Sequence, residues 1–289
     1  MNYGHMIKEI GRGAKGARSL DAEAAESLFG DILDGGVPDL ELGAIIIALR
    51  IKSESLAELI GFKRAIDARC AQVSAPNGPR CVVLPTYNGA RRQANLMPLL
   101  ALMLAQRGVP VLIQGRHDFE SRTSPFELLA ALGIHRAADI ADASAQLRQT
   151  RLACIGVDKL LPGLETLLSL RLRFGVRGSA HTMAKLLDPC RGRSVRVVAV
   201  THPEYLERMH AFLLADGGHS MLLRGTEGEA FANPRRRPRM EVFAEGIASE
   251  AWTAEEGGAP PLEGLPDAPG VVENATLVRA MLSGDVPVP

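Results

Sequence analysis

The sequence predicts an α/β protein in which an N-terminal helical domain precedes a larger α/β domain with a mostly parallel central sheet. Three observations support this class. Residues 21–69 place apolar side chains at helical spacing. The Pro- and Gly-rich stretch 75–79 then breaks the pattern. After it, short apolar runs alternate with helical patterns, as in helices packed on a parallel sheet. We expect a helical domain at 1–74 and an α/β domain at 75–289, with helices around 158–190 able to pack on the helical domain.

Three helices are expected in the first domain, and each begins at a residue that favours a helix start. The starts are Asp21, Pro38 and Ser53 or Ser55, and the corresponding ends are Gly35-Gly36, Ile51 and Arg69. Asp and Ser side chains cap the free N–H groups of a first turn, and proline fits the first helical position. Glycine commonly ends a helix because it adopts the left-handed conformation without strain.

The second domain contains six strand candidates and six helix candidates. The strands are expected at 81–84, 109–113, 152–156, 195–200, 219–223 and 240–244. The helices are expected at 94–106, 125–132, 158–170, 179–187, 203–215 and 274–282. The stretch 254–270 is rich in Gly, Pro and Glu and predicts an irregular connection. Because ligands of such sheets lie beyond the carboxyl ends of the strands, we expect the turns at 85–92, 114–122 and 224–239 to lie near one another.

The composition is that of an ordinary globular protein, with 46% hydrophobic and 23% charged residues in a chain of 289. No apolar run approaches the length of a membrane span. Lys8, Arg12 and Lys15 interrupt the N-terminal segment, so we expect no signal peptide. The four cysteines are widely spaced and suit a reducing compartment. These features predict a cytoplasmic protein without a membrane partner.

The formal net charge of zero hides an asymmetry along the chain. Residues 1–240 carry 32 Lys and Arg against 24 Asp and Glu, whereas residues 241–289 carry nine acids and a single arginine, Arg279. A basic body favours an anionic partner. The alternative is a well-solvated surface followed by a charged tail.

The turn after the first predicted strand is the most informative stretch. It reads Pro85-Thr86-Tyr87-Asn88-Gly89-Ala90-Arg91-Arg92 and is followed by a helical pattern. A strand, a tight turn and a helix form the geometry that binds phosphate through backbone N–H groups. Such a turn normally has several glycines, and this one has a single glycine. An aromatic ring beside two guanidinium groups suits a polyanion better than one small phosphate.

Several strings, in this order, resemble the anthranilate phosphoribosyltransferase superfamily. They are Leu-Leu-Ala-Ala-Leu-Gly at 128–133, Phe-Gly-Val-Arg at 174–177, Leu-Leu-Asp-Pro at 186–189, Thr-His-Pro-Glu at 201–204 and Glu-Asn-Ala at 273–275. The resemblance implies a helical domain used for dimerisation and an α/β domain of the nucleoside phosphorylase/phosphoribosyltransferase catalytic type. Its enzymes join a nitrogenous acceptor to phosphoribosyl pyrophosphate with Mg²⁺.

The working motifs of that superfamily are altered here. Its Gly-Thr-Gly-Gly-Asp turn falls on 85–89, where only the threonine matches, and its Lys-His-Gly-Asn-Arg run falls on 113–117, where only the glycine matches. Its magnesium-binding Asp-Glu pair falls near Ala230-Phe231, and Glu227 and Glu229 are close but out of register. Mg²⁺ requires carboxylate or phosphate oxygens. Ordinary phosphoribosyl transfer is therefore not expected.

The altered motifs, together with Gly-Glu-Ala-Phe-Ala-Asn-Pro at 228–234, resemble the YbiB group of TrpD-like proteins. That resemblance implies a retained transferase fold, a homodimer and binding to nucleic acid with little sequence preference. Arg171 matches an arginine that contacts the acceptor in the enzymes of the superfamily.

The candidate phosphate- and nucleic-acid-binding residues fall in four groups. They are Thr86, Tyr87, Asn88, Gly89, Arg91 and Arg92; Arg116 and Arg122, with His117 between them; Arg171 and Arg177; and Arg235, Arg236, Arg237 and Arg239. The arginines could instead be solvated surface residues, and the last group could pair with the acidic tail. Tyr87 could stack on a base or fill space over the sheet, and an aromatic content of 4% favours the second. No catalytic residue, metal ligand or cofactor is predicted, since the histidines lack metal-binding spacing.

Three hypotheses follow. The leading one is a non-enzymatic homodimer that binds nucleic acid, DNA or RNA, through backbone phosphates without sequence preference. The alternative is a phosphoribosyltransferase that uses Thr86, Gly89, Arg92 and Arg171 with Mg²⁺. The third is a dimeric scaffold without a ligand, for which charge reversal of Arg235, Arg236 and Arg237 changes no affinity.

Overall fold

The computed structural model describes residues 2–13, 15–116 and 122–289, and the chain divides into two compact units. The helical unit consists of Met1–Ala71 and Val157–Leu187, and the α/β unit consists of Gln72–Gly156 and Asp188–Pro289. The chain therefore leaves the α/β unit after residue 156 and returns to it at residue 188.

The helices are α1 (Tyr3–Ile10), α2 (Ala22–Leu33), α3 (Asp39–Lys52), α4 (Leu56–Arg69), α5 (Met97–Gln106), α6 (Pro125–Ala131), α7 (Ile140–Thr150), α8 (Val157–Leu160), α9 (Pro162–Ser169), α10 (Arg171–Phe174), α11 (Ser179–Ala184), α12 (Pro203–Asp216) and α13 (Val271–Ser283). The strands are β1 (Cys81–Thr86), β2 (Val111–Gly115), β3 (Leu152–Gly156), β4 (Ser194–Val200), β5 (His219–Arg224), β6 (Met240–Ala244) and β7 (Ile247–Trp252). Among the described residues, no helix combines the length and the apolar character that crossing a bilayer requires.

The helical unit packs its apolar helix faces together and fully buries the carboxylate of Glu58. Phe29 of α2 stacks on Phe62 of α4 with ring centroids 4.5 Å apart. Glu58 is fully buried and closes the capping box at the start of α4 with Ser55. Its carboxylate also accepts a hydrogen bond from the ammonium group of Lys52 at 2.6 Å. This charge pairing compensates the burial of the carboxylate.

The α/β unit contains one seven-stranded sheet with the order β3-β2-β1-β4-β5-β6-β7. The first five strands in this order pair in parallel, and β6 and β7 add an antiparallel edge. The presence of this mostly parallel sheet and of an N-terminal helical bundle in one chain confirms the predicted fold class.

Several elements differ from the sequence prediction, among them the short helix α10, which was not predicted. The strand β7 was not predicted because it lies at an exposed edge and has no continuous apolar run. The helices α1 and α7 were also missed, and α7 buries only Ala143, Ser144 and Leu147. The predicted helix 158–170 is two helices, because Pro162 begins a new first turn instead of continuing α8.

The register of the parallel strands aligns their carboxyl ends. Thr86 of β1 is opposite Gly115 of β2, and Gly115 is opposite Gly156 of β3. A Cβ at Gly115 would lie 1.8 Å from the carbonyl oxygen of Thr86. Glycine is therefore required there, and the turns that follow β1 and β2 begin side by side.

An apolar groove of about 790 Å³ lies between α5 and the strands β1, β4 and β5. Leu99, Met103, Val197 and Met221 are among the side chains that line it. None of the residues from Thr86 to Gln93 lines this groove, so it is separate from the candidate anion-binding turn.

Candidate anion site at the carboxyl ends of the strands

The turns after β1, β2 and β5 come together, as their topology predicts. Ala90 and Thr123 form an isolated antiparallel bridge between the first two turns. The guanidinium group of Arg122 donates a hydrogen bond to the carbonyl oxygen of Gly89 at 3.3 Å. The loop 225–231, which follows β5, contacts the turn after β1 through the side chains of two glutamates, Glu227 and Glu229.

Glu229 occupies the donors at the beginning of the turn. Its side chain is fully buried. The hydroxyl of Thr86 donates to Oε2 at 2.6 Å, and the backbone N–H groups of Asn88 and Gly89 each donate to Oε1 at 3.1 Å. An ionised carboxylate is purely an acceptor, so it matches three donors. The donors that the sequence analysis assigned to phosphate are directed at an anion supplied by the chain itself.

Glu227 occupies the donors at the end of the turn. Its Oε1 accepts hydrogen bonds from the backbone N–H groups of Arg91 at 3.2 Å, Arg92 at 2.8 Å and Gln93 at 3.1 Å. Successive N–H groups that converge on one point form an anion-binding nest. The carboxylate of Glu227 is the anion in this nest.

The backbone of the loop is constrained where it delivers these carboxylates. Glu227 has a φ of 51°, in the left-handed region that non-glycine residues rarely adopt. Gly228 has a φ of 89°, and a Cβ there would lie 2.3 Å from Nδ2 of Asn88. The close packing of Gly228 on Asn88 fixes the loop over the turn.

Tyr87 points into the unit. The residue is 5% exposed, and its hydroxyl donates a hydrogen bond to Oε1 of Gln114 at 2.5 Å. A buried ring with a bonded hydroxyl corresponds to the space-filling alternative. Stacking on a base would require the ring to leave this position.

Arg91 and Arg92 present their side chains to solvent. Both residues are exposed, although their backbone N–H groups are bound to Glu227. Neither guanidinium group makes a hydrogen bond or an ion pair with any residue that the structure describes. The half-buried Arg116 and Arg122 both have partners, and His117 lies outside the described residues.

The densest arginine run is paired with acidic residues, which is the alternative that the acidic tail suggested. The partners are Asp267 for Arg235 at 2.5 Å, Glu255 for Arg237 at 3.4 Å, and Glu241 and Glu250 for Arg239 at 2.8 and 2.7 Å. Arg236 donates to the carbonyl oxygen of Gly257. The charge of this run is largely compensated within the α/β unit.

Arg171 and Arg177 belong to the helical unit. Arg171 begins α10, Arg177 lies between α10 and α11, and both are exposed. The remaining predicted site residues lie in the α/β unit.

The residues at the superfamily's magnesium position do not fit a metal ion. Ala230 and Phe231 are buried and supply no oxygen ligand from their side chains. The carboxylates of Glu227 and Glu229 are already engaged by backbone and hydroxyl donors. Within residues 2–13, 15–116 and 122–289, no three His, Cys, Asp or Glu side chains are arranged to hold a metal ion.

Cys154 is not a candidate nucleophile. Burial raises the pKa of its thiol to about 12, with a smaller opposing effect from the charge of Arg136. The thiol is therefore neutral at physiological pH, and nucleophilic chemistry requires the thiolate.

The sequence of residues 5–70 matches the helical bundle domain of the glycosyl transferase family. Uncharacterized protein YbiB of Escherichia coli K12 is 40% identical over 292 residues, which cover 100% of this chain and 90% of that protein. Anthranilate phosphoribosyltransferase of Beijerinckia indica is 28% identical over 211 residues, which cover 73% of this chain and 61% of that enzyme.

Two solved structures share the fold. Anthranilate phosphoribosyltransferase (TrpD) from Thermus thermophilus has a TM-score of 0.79 at 24% identity, covering 100% of this chain and 84% of that one. The Saccharomyces cerevisiae enzyme in complex with PRPP and Mg has a TM-score of 0.76 at 13% identity, covering 98% of this chain and 82% of that one. At these identities the likeness establishes the fold alone.

Proposed function

Since this chain belongs to the family of the YbiB protein, within the anthranilate phosphoribosyltransferase superfamily, we propose that it is a cytoplasmic homodimer that binds nucleic acid, including DNA, without sequence preference. The proposal rests on the arrangement of donors in the turn 86–93. Its backbone donors are filled by Glu227 and Glu229, whereas the guanidinium groups of Arg91 and Arg92 are exposed. The turn therefore offers side-chain charge to a large polyanion and no open backbone site to a small one.

The chemistry of guanidinium groups explains the lack of sequence preference. Each group stays charged and can contact phosphate oxygens with two parallel hydrogen bonds. Phosphate contacts position a protein on nucleic acid but carry no base information. Two copies of the turn in a homodimer would raise the avidity for a long strand. This function requires no metal ion and no cofactor.

The transferase alternative requires a different state of the same turn. Thr86 and Gly89 would have to release Glu229 before they could bind the donor substrate. The residues near Ala230 would also have to acquire oxygen ligands for Mg²⁺. The described geometry favours binding over transfer.

The test is a salt titration of single- and double-stranded oligonucleotides of several sequences, followed by fluorescence anisotropy. If both guanidinium groups contact phosphate, R91A/R92A should flatten the slope of log K against log salt by about 1.4 on single strands and 1.8 on duplex. The matched control is R107A/R148A. Both of its arginines are exposed and precede β2 and β3, at the amino ends of the strands.

Equal losses in the two double variants would contradict the assignment to the turn, and a salt-independent curve would contradict the function. Consumption of phosphoribosyl pyrophosphate in the presence of Mg²⁺ would favour the transferase. Light scattering of the purified protein tests the homodimer, and a monomer mass would contradict that part of the proposal.

A further inference from the structure

Glu227 and Glu229 form an autoinhibitory contact: we infer that they are built-in ligands of a small-oxyanion site, which the loop 225–231 keeps closed to free phosphate or pyrophosphate. This inference concerns the backbone donors of the turn 86–93 and is independent of the exposed arginine side chains.

The donor set is that of an anion site. Six donors converge on two carboxylates, and five of them are backbone N–H groups of one short turn. The sixth is the hydroxyl of Thr86. Backbone donors fixed by a turn need little rearrangement to bind an oxyanion, because the fold has already oriented them. The turn is thus organised around negative charge.

The closed state leaves no place for a second anion. Glu229 is 0% exposed, and both of its carboxylate oxygens, Oε1 and Oε2, accept hydrogen bonds from the beginning of the turn. A phosphate that entered would meet a like charge and would have to break these bonds. Pyrophosphate binding across the whole turn therefore requires both glutamate side chains to leave, whereas a single phosphate at the three N–H groups of residues 91–93 requires only Glu227 to leave.

Backbone hydrogen bonds hold the loop 225–231 in place, and this loop positions the two glutamates over the turn. The N–H of Gly225 donates to the carbonyl oxygen of Val200 at 3.1 Å, and the N–H of Thr226 donates to that of Phe231 at 3.0 Å. A Cβ at Gly225 would lie 2.2 Å from the carbonyl oxygen of Glu229. Removing the carboxylates by mutation should consequently leave the loop close to its original path.

The experiment compares pyrophosphate binding by isothermal titration calorimetry in three proteins that share the R91A/R92A background. This background removes the exposed guanidinium groups but keeps every backbone donor of the turn. The proteins are the background itself, E227A/E229A and E227Q/E229Q. The glutamine pair fills the same volume without negative charge and keeps an acceptor at each position.

The E227A/E229A variant should bind pyrophosphate at least about tenfold more tightly than the R91A/R92A background, because the apparent affinity scales with the fraction of protein molecules whose site is open. The glutamine variant should bind as weakly as the background. Equal binding by the alanine variant and the background would overturn the inference, as would a folded alanine variant that binds no pyrophosphate.

If E227A/E229A does not fold, as judged by circular dichroism, E227A alone is titrated with inorganic phosphate under the same criteria. Glu227 is half-buried and bonds only to amides of Arg91, Arg92 and Gln93 in the described contacts. Since all of these proteins lack Arg91 and Arg92, the result does not depend on whether the proposed nucleic-acid binding is correct.

Discussion

The turn 86–93 and the loop 235–239 both combine arginines with carboxylates, but they join them in different ways. In the turn, Glu227 and Glu229 bind backbone N–H groups, and the guanidinium groups of Arg91 and Arg92 remain exposed. In the loop, carboxylates bind the guanidinium groups themselves. The segment with more arginines therefore offers less uncompensated charge.

The difference shows that charge density along a sequence does not measure the charge that a partner meets. The charge that a partner meets depends on whether the nearest carboxylate binds a backbone N–H group or a guanidinium group. Removal of a buried carboxylate lowers the free energy of unfolding more than removal of a surface carboxylate, because the donors that it leaves behind have no access to water. The two segments should respond differently to the loss of an acid.

The largest expected effect is on stability at the turn. E229A leaves the Thr86 hydroxyl and two backbone N–H groups without their acceptor, so the free energy of unfolding should fall by about 2–4 kcal/mol. E255A removes an acid whose side chain is 48% exposed and should cost less than about 1 kcal/mol. Urea denaturation measures both, and similar losses would erase the distinction between the two segments.

A pair of glycine substitutions sharpens the same contrast. Gly228 and Gly257 both have a positive φ, of 89° and 91°, but only Gly228 has a neighbour that a Cβ would strike. G228A should reduce the free energy of unfolding by about 2–3 kcal/mol, and G257A by about 1 kcal/mol, which is the conformational cost alone. Thermal unfolding of the two variants gives the comparison, and equal shifts would show that the loop is not tightly packed on Asn88.

A smaller effect is expected on nucleic-acid affinity when the loop loses its acids. D267N/E255Q removes the charged partners of Arg235 and Arg237. The released guanidinium groups should raise oligonucleotide affinity by about threefold to tenfold at low salt. The control is D158N/E165Q, which neutralises two acids of the helical unit. An equal gain in the control would attribute the effect to net charge.

The smallest expected effect on the free energy of unfolding concerns the exposed ion pair of Asp34 and Arg69, which lies outside both segments. A hydrogen bond from Arg69 lowers the pKa of Asp34 below its ordinary value, and burial opposes this slightly. The pair therefore stabilises the fold above the ordinary carboxyl pKa, near 3.8, and loses its contribution as the pH falls through the lowered value. Because both side chains are partly exposed, D34N should change the unfolding free energy by less than about 1 kcal/mol at neutral pH. Urea titrations at neutral and acidic pH check the sign, and a D34N cost that grows on acidification would contradict it.

Most strands and helices were predictable because they bury apolar runs. The stretch 152–156 is almost wholly apolar, and the strand β3 begins and ends there. The exposed strand β7 and the largely polar helix α7 gave no such signal. Apolar burial therefore made most of the fold predictable, and the elements that bury few apolar residues were not predicted.

The candidate site was less predictable because its partners lie far apart in the chain. Glu229 bonds to Asn88, which is 141 positions away, so no local pattern links them. The only signal was the presence of Glu227 and Glu229 beside the altered metal position, and sequence spacing could not reveal what they bind. Pairing of the 235–239 run could be considered from the acid count, but the ion pair of Arg239 with Glu250 depends on the β6–β7 hairpin, which was not predicted.

The interrupted course of the helical unit sets an order for its folding during translation. The helices α1 to α4 are synthesised before the segment 157–187, yet their unit is complete only after residue 187 has been added. A Cβ at Gly163 would lie 1.9 Å from the carbonyl oxygen of Leu33, which shows how closely the late segment must dock. Nascent chains shorter than this should therefore depend on chaperones, and a stop codon before α9 would leave an incomplete bundle prone to degradation.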